Sequence, residues 1–320
     1  MAGLLERVRA ACKAVAGRAT HVRIDYDSIP SYAASLPLER IAHPQIDPDC
    51  HYLGRGDDTV AFFLTLNAVN FSSGYSPHLR KRSGMSGYFT VASSLNDHYS
   101  THGPLSAQDL TRLSTDDCTA IFGQEPDNYI VRELLQHFAT ALNDLGRYLL
   151  DRFDGSFVRL VETADASAER LVALLIKMPC FKDVASYGEL DVPFYKRAQI
   201  TPADLFLAFD GRGPGRFDDL DRLTIFADNL VPHVLRLDGI LHYTDTLAAR
   251  IDAEKEIPLG CAEEVEIRAC AVHAVEVLVD ELRQCGHSVA ARELDYLLWN
   301  RGQGSAYKAH PRHRTRSVFY

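Results

Sequence analysis

The sequence predicts a mainly α-helical fold with at most a few short strands. Apolar residues recur at intervals of three and four in most segments, as they do on one face of an amphipathic helix. The alternation of apolar and polar residues that is typical of half-buried strands is scarce. Aspartate, serine and threonine residues precede several of the apolar segments, where they can cap a helix. Together these patterns favour a helical protein.

The first half of the chain and its middle contain several predicted helices. Residues 57–70 (DDTVAFFLTLNAVN) open with two aspartates and are then almost uniformly apolar, so we expect a central core helix that ends in Asn70. Residues 85–97 predict another helix, and Ser106 with Asp109 resembles a capping box. Residues 129–153 have the clearest amphipathic stripe, and two more helical segments follow them. These segments predict a bundle-like middle.

The second half begins with an irregular segment. Proline, glycine and aromatic residues break the helical period over residues 179–200, which predicts a loop or a short strand pair. A helix capped by Thr201 is expected over 201–209, and the glycine-rich residues 210–219 are expected to form a loop without a phosphate-binding fingerprint. Helical patterns then continue to residue 300 and include TIFADNLVPHVL at 224–235. No repeat or linker divides the chain, so we expect a single domain over residues 1–320.

Composition indicates the class of partner. The chain has 320 residues, a formal net charge of −9 and ordinary fractions of apolar and charged residues. An acidic protein has little general affinity for the nucleic-acid backbone or for anionic membranes. We therefore expect a small-molecule substrate, no direct nucleic-acid binding and no membrane binding, and the sequence leaves the oligomeric state open.

The cysteines and the N-terminal segment indicate the compartment. The seven cysteines are odd in number and form no C-x-x-C motif, which suits reduced thiols. Charged residues interrupt the apolar residues of segment 1–17, so it lacks the apolar run of a signal peptide. No stretch has the length of a membrane span. We therefore expect a cytoplasmic protein.

Motifs for metal binding and nucleophilic catalysis are weak. His98 and His102 have the i, i+4 spacing of two zinc ligands, but the glutamate of H-E-x-x-H is missing, and Ser100 and Thr101 are poor helix formers. The chain has no G-x-S-x-G motif. We expect no metal and no cofactor.

Asp228 is an unusual carboxylate. On an ideal helix over 224–235 its neighbours would be mostly apolar, and a buried carboxylate is costly unless it accepts hydrogen bonds or does chemistry. Because Pro232 disfavours a helical Val231, one interpretation is that Asp228 caps a helix that begins nearby. The other is a catalytic base, which partial desolvation would favour.

Charged residues elsewhere also allow two interpretations. Lys196 and Arg197 follow aromatic residues and could bind a phosphate, or they could form a solvated pair. Glu264 and Arg268 are spaced i, i+4, which predicts a structural salt bridge on a helix. Residues 307–320 are basic but end in the apolar letters SVFY, so we expect the terminus to dock onto the protein.

Several strings of this sequence are similar to those of the queuosine-salvage protein family. They are VNFSS (69–73), SGYFTVASSLN (86–96), FYKRAQI (194–200), LTIFADNLVPHVLRLDGILHYTD (223–245), EEVEIRACAVHAVE (263–276), DYLLWN (295–300) and HRTRSVFY (313–320). The resemblance runs in the same order from residue 51 to residue 320. It departs from many relatives after residue 72, where Ser73, Gly74 and Tyr75 replace the usual aromatic pair.

The resemblance implies both a fold and a reaction. The fold is expected to be similar to helix-hairpin-helix DNA glycosylases. The implied reaction is metal-independent hydrolysis of the N-glycosidic bond of queuosine 5′-monophosphate. It releases queuine, a 7-deazaguanine base used in tRNA modification, together with ribose 5-phosphate.

The resemblance also implies roles for individual residues. Asp228 is expected to be the catalytic residue that acts on the sugar. The other residues, which are expected to bind the substrate, are Asn70 and Phe71 at the base, Ser86, Gly87 and Tyr88 near the same pocket, and Lys196, His233 and Tyr243 at the 5′-phosphate.

Two other functional classes remain as alternatives. A non-catalytic module that binds tRNA or a modified nucleotide would need a broad basic surface, which the charge of −9 disfavours. A metal-dependent phosphohydrolase would need a dense set of His and Asp ligands, and no such spacing occurs. The sequence does not rank a nucleoside monophosphate, a free nucleoside and a precursor 7-deazaguanine nucleotide as substrates.

Overall fold

The computed structural model describes residues 3–40 and 46–320, and most of these residues are helical. The helices, in chain order, are α1 (Leu4–Ala16), α2 (Ile29–Ser35), α3 (Asp57–Ala68), α4 (Gly87–His102), α5 (Ala107–Leu110), α6 (Thr115–Ile121), α7 (Tyr129–Phe153), α8 (Phe157–Thr163), α9 (Ala168–Leu175), α10 (Lys196–Ala208), α11 (Val231–Leu237), α12 (Asp245–Asp252), α13 (Ala262–Gln284), α14 (Ala291–Gly302) and α15 (Ser305–Lys308). The predicted mainly α fold is confirmed. Its similarity to helix-hairpin-helix glycosylases stays a prediction.

The strands form two small antiparallel sheets. Strand β1 (Val22–Ile24) pairs with β4 (Leu241–Tyr243), and β2 (Val184–Tyr187) pairs with β3 (Leu190–Pro193). The second sheet lies within residues 179–200, so the strand pair expected there is confirmed.

The chain forms two compact units, each built from separated segments. The first unit takes its described residues from Met1–Pro44, Asp183–Lys196 and Asp221–Arg316. The second takes its described residues from Gln45–Lys182, Arg197–Leu220 and Ser317–Tyr320. The single domain expected over residues 1–320 stays a prediction. None of the helices formed by residues 3–40 and 46–320 combines the length and the apolar character of a membrane span.

Helix α13 is the centre of the first unit. It contacts α1, α2, α11, α14 and strand β1, and most of its residues are buried. Three of these buried residues are charged: Glu264, Glu266 and Arg268. Buried charges are costly unless they are paired or hydrogen-bonded, so their contacts determine which segments can pack against α13.

Glu266 anchors the start of strand β1 to α13. Its carboxylate accepts the Tyr187 hydroxyl at 2.7 Å and three consecutive backbone N–H groups, those of Thr20 (3.0 Å), His21 (2.6 Å) and Val22 (3.0 Å). These donors satisfy the hydrogen-bonding capacity of a carboxylate that is buried. Glu266 therefore fixes β1 and, through the β1–β4 pairing, its partner strand.

Helix α3 is the core of the second unit. All residues from Thr59 to Ala68 are buried, and the helix contacts α4, α7 and α8. Asp57 and Asp58 lie in the first turn of α3, where their negative charges interact favourably with the positive end of the helix dipole. The central helix predicted over residues 57–70 is thus confirmed, although it ends two residues earlier.

Arg197 stabilises the C-terminal end of α3. Its guanidinium donates to the carbonyls of Asn67 (3.1 Å) and Ala68 (2.5 Å) and lies over the rings of Phe71 and Phe181. The last carbonyls of a helix have no partner within it, and a cation there also favours the helix dipole. Arg197 and Lys196 are both buried, so a solvated pair is wrong for these two residues.

Local signals set several helix boundaries correctly. Ser106 and Asp109 form a full capping box at α5, and α7 covers the predicted residues 129–153 behind an Asn128 cap. Helix α10 was placed too late, because it begins at Lys196 and contains Pro202. The Thr201 hydroxyl does not cap this helix but donates to the Arg197 carbonyl one turn earlier, at 2.8 Å.

Residues 224–230 are not helical, and this corrects the expected helix over 224–235. The chain is irregular from Leu223 to Ala227 and bent from Asp228 to Leu230, and α11 begins at Val231 with Pro232 in its first turn. Proline disfavours a helical conformation in the preceding residue but fits well in a first turn. The apolar character of the segment comes from burial of Thr224–Ala227 in irregular backbone rather than from a buried helix face.

The basic C-terminal segment docks as expected. The Arg314 carbonyl accepts the Ile257 N–H at 2.8 Å, and the Thr315 hydroxyl donates to the Ile257 carbonyl at 2.9 Å, both within the first unit. In the second unit Tyr320 is buried and the Val318 carbonyl accepts a hydrogen bond from Arg197.

A buried ion pair connects α13 with the β2–β3 segment. Arg268 donates to both carboxylate oxygens of Asp183, at 2.5 and 3.1 Å, and also to Glu264 at 3.4 Å. Its guanidinium lies 4.0 Å from the centroid of the Phe194 ring. The i, i+4 pair predicted from the sequence is confirmed, and Asp183 makes it part of a larger group.

We expect Arg268→Ala to lower the free energy of unfolding by about 3–5 kcal/mol, because it leaves two buried carboxylates without their cation. The measurement is urea unfolding at pH 7. Arg283→Ala on the same helix is the control, because Arg283 forms an exposed i, i+3 pair with Asp280. A change within about 0.5 kcal/mol is expected there. Equal effects of the two variants would contradict the structural role of Arg268.

Candidate functional site

Asp228 lies in the bend directly before α11. Its Oδ1 accepts the N–H groups of Leu230 (2.7 Å) and Val231 (3.3 Å), and its side chain is partly exposed. These bonds close a turn directly before α11, whose N-cap residue is Leu230 and has no side-chain cap. Asp228 is therefore not the N-cap residue, and its carboxylate has a structural role in the turn that leads into the helix. Among the residues that the structure describes, Oδ2 has no hydrogen-bond partner, so one oxygen fixes the carboxylate while the other stays available.

Three further hydrogen bonds hold the segment around Asp228. Arg268 Nε donates to the Ala227 carbonyl at 2.9 Å. The Phe226 N–H donates to the Asp295 carboxylate at 2.8 Å, and Asn229 Nδ2 donates to the His313 carbonyl at 3.2 Å. The segment is irregular but fixed on both sides of the carboxylate. Such restraint preserves the position of a reacting group.

Lys196 follows a tight turn that Asp183 organises. The Asp183 carbonyl accepts the N–H groups of Phe194 (2.9 Å) and Tyr195 (3.2 Å), and its carboxylate accepts the Lys196 N–H at 3.3 Å. Tyr195 has a φ of 51°, a left-handed conformation that costs on the order of 1 kcal/mol outside glycine. These bonds offset that cost and fix Lys196, which is buried, at the start of α10.

His233 is held in one tautomer. Its Nε2 lies 3.0 Å from the Tyr307 carbonyl, and since a carbonyl only accepts, Nε2 carries the proton. Burial lowers the pKa of His233, and the nearby cations Arg312 and Arg236 lower it further. The imidazole is therefore neutral. Its Nδ1 is a buried acceptor that has no partner within residues 3–40 and 46–320.

Tyr243 presents a second buried polar atom in the first unit. Its hydroxyl oxygen has no hydrogen-bond partner in the described parts of the chain. Burial raises the pKa of Tyr243, so the phenol stays protonated, and the Arg236 guanidinium lies 5.1 Å from the ring centroid. Buried polar atoms are nearly always satisfied, so each of these two atoms is a candidate for a hydrogen bond to a ligand or to water.

The second unit contains a polar network at the end of α3. Asn70 Nδ2 donates to Asn67 Oδ1 at 3.2 Å, and Asn67 Nδ2 donates to the Asp204 carboxylate at 2.9 Å. Asn67 and Asp204 are buried, whereas Asn70 is partly exposed. The network orients the Asn70 amide from within the unit. Asn67 and Asp204 were not singled out from the sequence, although an asparagine inside an apolar helix was a usable signal.

Phe71, Ser86 and Gly87 serve the packing of the second unit. The Phe71 ring is 1% exposed and packs edge-on against Phe138. Ser86 caps α4 by accepting the Phe89 N–H at 3.3 Å. A Cβ at Gly87 would lie 3.1 Å from Ser76 Oγ, so a side chain there would crowd its neighbour. The roles of Phe71, Ser86 and Gly87 in substrate binding stay predictions.

Tyr88 is hydrogen-bonded to a histidine that sequence reasoning missed. His51 Nδ1 lies 2.8 Å from the Asp47 carbonyl and therefore carries a proton. Burial lowers the pKa of His51, so its Nε2 is unprotonated and accepts the Tyr88 hydroxyl at 2.9 Å. Burial also raises the pKa of Tyr88, and the nearby Asp204 adds to this rise. His51 is the first residue of the string HYLG, where the resemblance begins.

His98 and His102 stack on α4, with ring centroids 4.8 Å apart. No cluster of three or more His, Cys, Asp or Glu side chains with the arrangement of a metal site occurs in the described ranges.

The nine residues assigned from the sequence divide between the two units. The first unit contains Asp228, Lys196, His233 and Tyr243. Within it, Arg268 is hydrogen-bonded both to the carbonyl before Asp228 and to the carboxylate that orders Lys196. The second unit contains the other five, which are Asn70, Phe71, Ser86, Gly87 and Tyr88.

Comparison with known proteins decides the family. The sequence model described as queuosine salvage protein matches residues 50–320. The chain belongs to the queuosine salvage protein family. All nine assigned residues lie within the matched range, and their individual roles stay predictions.

Curated relatives of the queuosine salvage family align over most of the chain. A protein from Sphaerobacter thermophilus is 38% identical over 96% of this chain and 95% of its own length. A protein from Dictyostelium discoideum is 37% identical over 67% of this chain and 65% of its own length. A third, from Mus musculus, is 30% identical over 98% of both. All three are named queuosine 5′-phosphate N-glycosylase/hydrolase.

The buried His313 should make stability depend on pH. Burial lowers its pKa to about 3, with Arg268, His233 and Arg312 contributing. The unfolded chain protonates this histidine near pH 6.5, so the stabilising contribution is complete above that pH and is lost as the pH falls toward 3. Between pH 7.5 and 5.5 we expect His313 to account for a loss of about 1 kcal/mol, measured by urea unfolding.

The matched measurement uses His313→Gln at the same two pH values. Its unfolding free energy should fall by about 1 kcal/mol less than that of the wild type over this interval. Should the variant not fold, NMR titration of the His313 ring in the wild type gives the pKa directly. A ring that titrates near pH 6.5 would contradict the prediction.

Proposed function

We propose that this chain hydrolyses the N-glycosidic bond of queuosine 5′-monophosphate, releasing queuine for salvage into tRNA modification and leaving ribose 5-phosphate. The observation that carries the proposal is the family membership over residues 50–320, within which Asp228 is held by one oxygen and keeps the other available. The names of the relatives support the same reaction.

Asp228 is the proposed catalytic carboxylate. As the bond between C1′ and the base breaks, positive charge develops on the sugar, and a nearby carboxylate stabilises it. Asp228 Oδ2 also accepts a proton from the attacking water, whose oxygen bonds to C1′, while the departing base takes the electron pair of the broken bond. The base then gains a proton from solvent, and Asp228 returns its proton to solvent, so that the carboxylate is regenerated. A 7-deazaguanine lacks N7, so protonation of that nitrogen cannot assist departure. Stabilisation of the sugar cation therefore carries more of the rate.

The 5′-phosphate is assigned to Lys196, His233 and Tyr243. An ammonium group and a hydroxyl are suitable donors for a phosphate monoester. The neutral His233 accepts a ligand O–H at Nδ1, or donates there once it is protonated. The two buried atoms without partners, His233 Nδ1 and the Tyr243 hydroxyl, support a ligand in this part of the first unit.

We propose that residues of the second unit recognise the base. Asn70 and Tyr88 have side chains oriented by Asn67 and His51. Phe71, Ser86 and Gly87 keep the substrate-binding role that the resemblance gives them. We also infer a cytoplasmic location, which the seven free cysteines support.

We expect Asp228→Asn to lower kcat about 10²- to 10⁴-fold, because the amide oxygen can still accept the N–H groups of Leu230 and Val231, but the amide is neither a base nor an anion. The assay measures free queuine released from queuosine 5′-monophosphate in EDTA. Asp109→Asn is the control, since the Asp109 carboxylate also accepts a backbone N–H at the start of a helix but lies in an exposed capping box. It should keep wild-type turnover.

Full turnover by a folded Asp228→Asn variant would assign the chemistry to another carboxylate. A wild-type protein that binds the nucleotide tightly without turnover would favour the non-catalytic binding module. Loss of wild-type turnover in EDTA would indicate an essential metal.

A further inference from the structure

Arg312 differs from the other arginines of the C-terminal segment. Arg314 pairs with Glu254 at 2.5 Å, and Arg316 pairs with Glu256 at 2.8 Å. Within residues 3–40 and 46–320, Arg312 has no hydrogen bond from its side chain and no ion pair within 4.0 Å. Its side chain is partly exposed, and partial burial lowers its pKa. A partly buried guanidinium without a close anion is a suitable partner for an anionic group of a ligand.

The surroundings of Arg312 are those of the proposed catalytic carboxylate. The hydrogen bond from Asn229 to the His313 carbonyl ties the residue after Asp228 to the residue after Arg312. The negative charge of Asp228 partly offsets the lowering of the Arg312 pKa, and the positive charge of Arg312 contributes to the lowered pKa of His233. Arg312, Asp228 and the buried Nδ1 of His233 therefore belong to one neighbourhood of the first unit.

Asp228 and Arg312 do not form an ion pair within 4.0 Å. The proposed role of Asp228 is to stabilise the sugar cation. A carboxylate that must stabilise a sugar cation is weakened when an uncompensated guanidinium lies near it, since the two charges act on the sugar with opposite sign. An anion on Arg312 would remove that opposing field. The substrate has one suitable anion, its phosphate monoester, and a guanidinium binds phosphate through paired charge-assisted hydrogen bonds.

We propose that Arg312 binds the 5′-phosphate of the substrate, and that neutralising Arg312 in this way makes the chemical step, as well as binding, depend on the phosphate. This inference rests on the proposed function and deepens it by naming the residue that selects a nucleoside monophosphate over the free nucleoside. The bound phosphate then raises kcat, because its negative charge offsets that of Arg312 in the transition state, when the sugar cation forms.

The test compares queuosine 5′-monophosphate with the nucleoside queuosine, each assayed in EDTA with wild-type protein, Arg312→Met and Arg314→Met. The quantity of interest is the ratio of kcat values for the two substrates. Arg312→Met should lower this ratio about 10- to 100-fold, and should speed nucleoside hydrolysis because the charge that opposes Asp228 is gone. Arg314→Met, whose side chain pairs with Glu254, should keep the wild-type ratio.

A second arm adds inorganic phosphate to the nucleoside reaction. With the wild type, free phosphate should bind to Arg312 and stimulate nucleoside hydrolysis, whereas Arg312→Met should show no stimulation. Arg312→Lys keeps the charge but loses the paired donors, so its ratio should lie between those of the wild type and Arg312→Met. Thermal unfolding of each variant verifies that it is folded.

The proposal is overturned if folded Arg312→Met keeps the wild-type ratio, or if it slows both substrates equally, which would indicate a purely structural role. A loss confined to KM would overturn the part that concerns the chemical step. Failure of the proposed function is a separate result, because in that case the wild type itself releases no queuine from either substrate.

Discussion

The buried pair between Arg268 and Asp183 is the interaction on which the first unit depends. Asp183 orders the turn before Lys196 with its carbonyl and its carboxylate, and Arg268 holds the carbonyl that precedes Asp228. Two irregular segments, far apart in sequence, are therefore fixed by one guanidinium on α13. Irregular backbone has no internal ladder of hydrogen bonds, so it needs such partners. A hydrophobic replacement could fill the volume but could not supply these directional bonds.

The sequence predicted the regular part of the fold well, because helical periodicity and capping residues are local signals. Helix α7 and the capping box at Ser106 follow those signals closely. The segment 224–230 did not, because its apolar residues are buried in irregular backbone that Arg268 and Asp295 hold by hydrogen bonds. The start of α10 was missed for the same reason: Asp183, outside the helix, determines where it begins.

The candidate site could be predicted only through resemblance. Asp228 was visible as an unusual carboxylate, but pattern alone favoured a capping or structural role, and the structure shows that it holds the turn before α11 without being the N-cap residue. The polar pairs of the second unit were hidden, since Asn67 with Asp204 and His51 with Tyr88 are brought together only by the fold. Arg312 was hidden for another reason. Its distinguishing property is the lack of a close partner among the described residues, whereas its sequence context is that of any basic segment.

The burial of the thiols has a practical consequence for chemical labelling. Five of the seven cysteines are buried, and burial raises the pKa of both Cys118 and Cys270 to about 12, so their reactive thiolate forms are scarce at neutral pH. Cys285 is exposed, directly after the end of α13. A short exposure to a maleimide dye should therefore modify Cys285 first. The natural chain thus offers a site for a fluorescent reporter at the C-terminal end of α13 without any change of sequence.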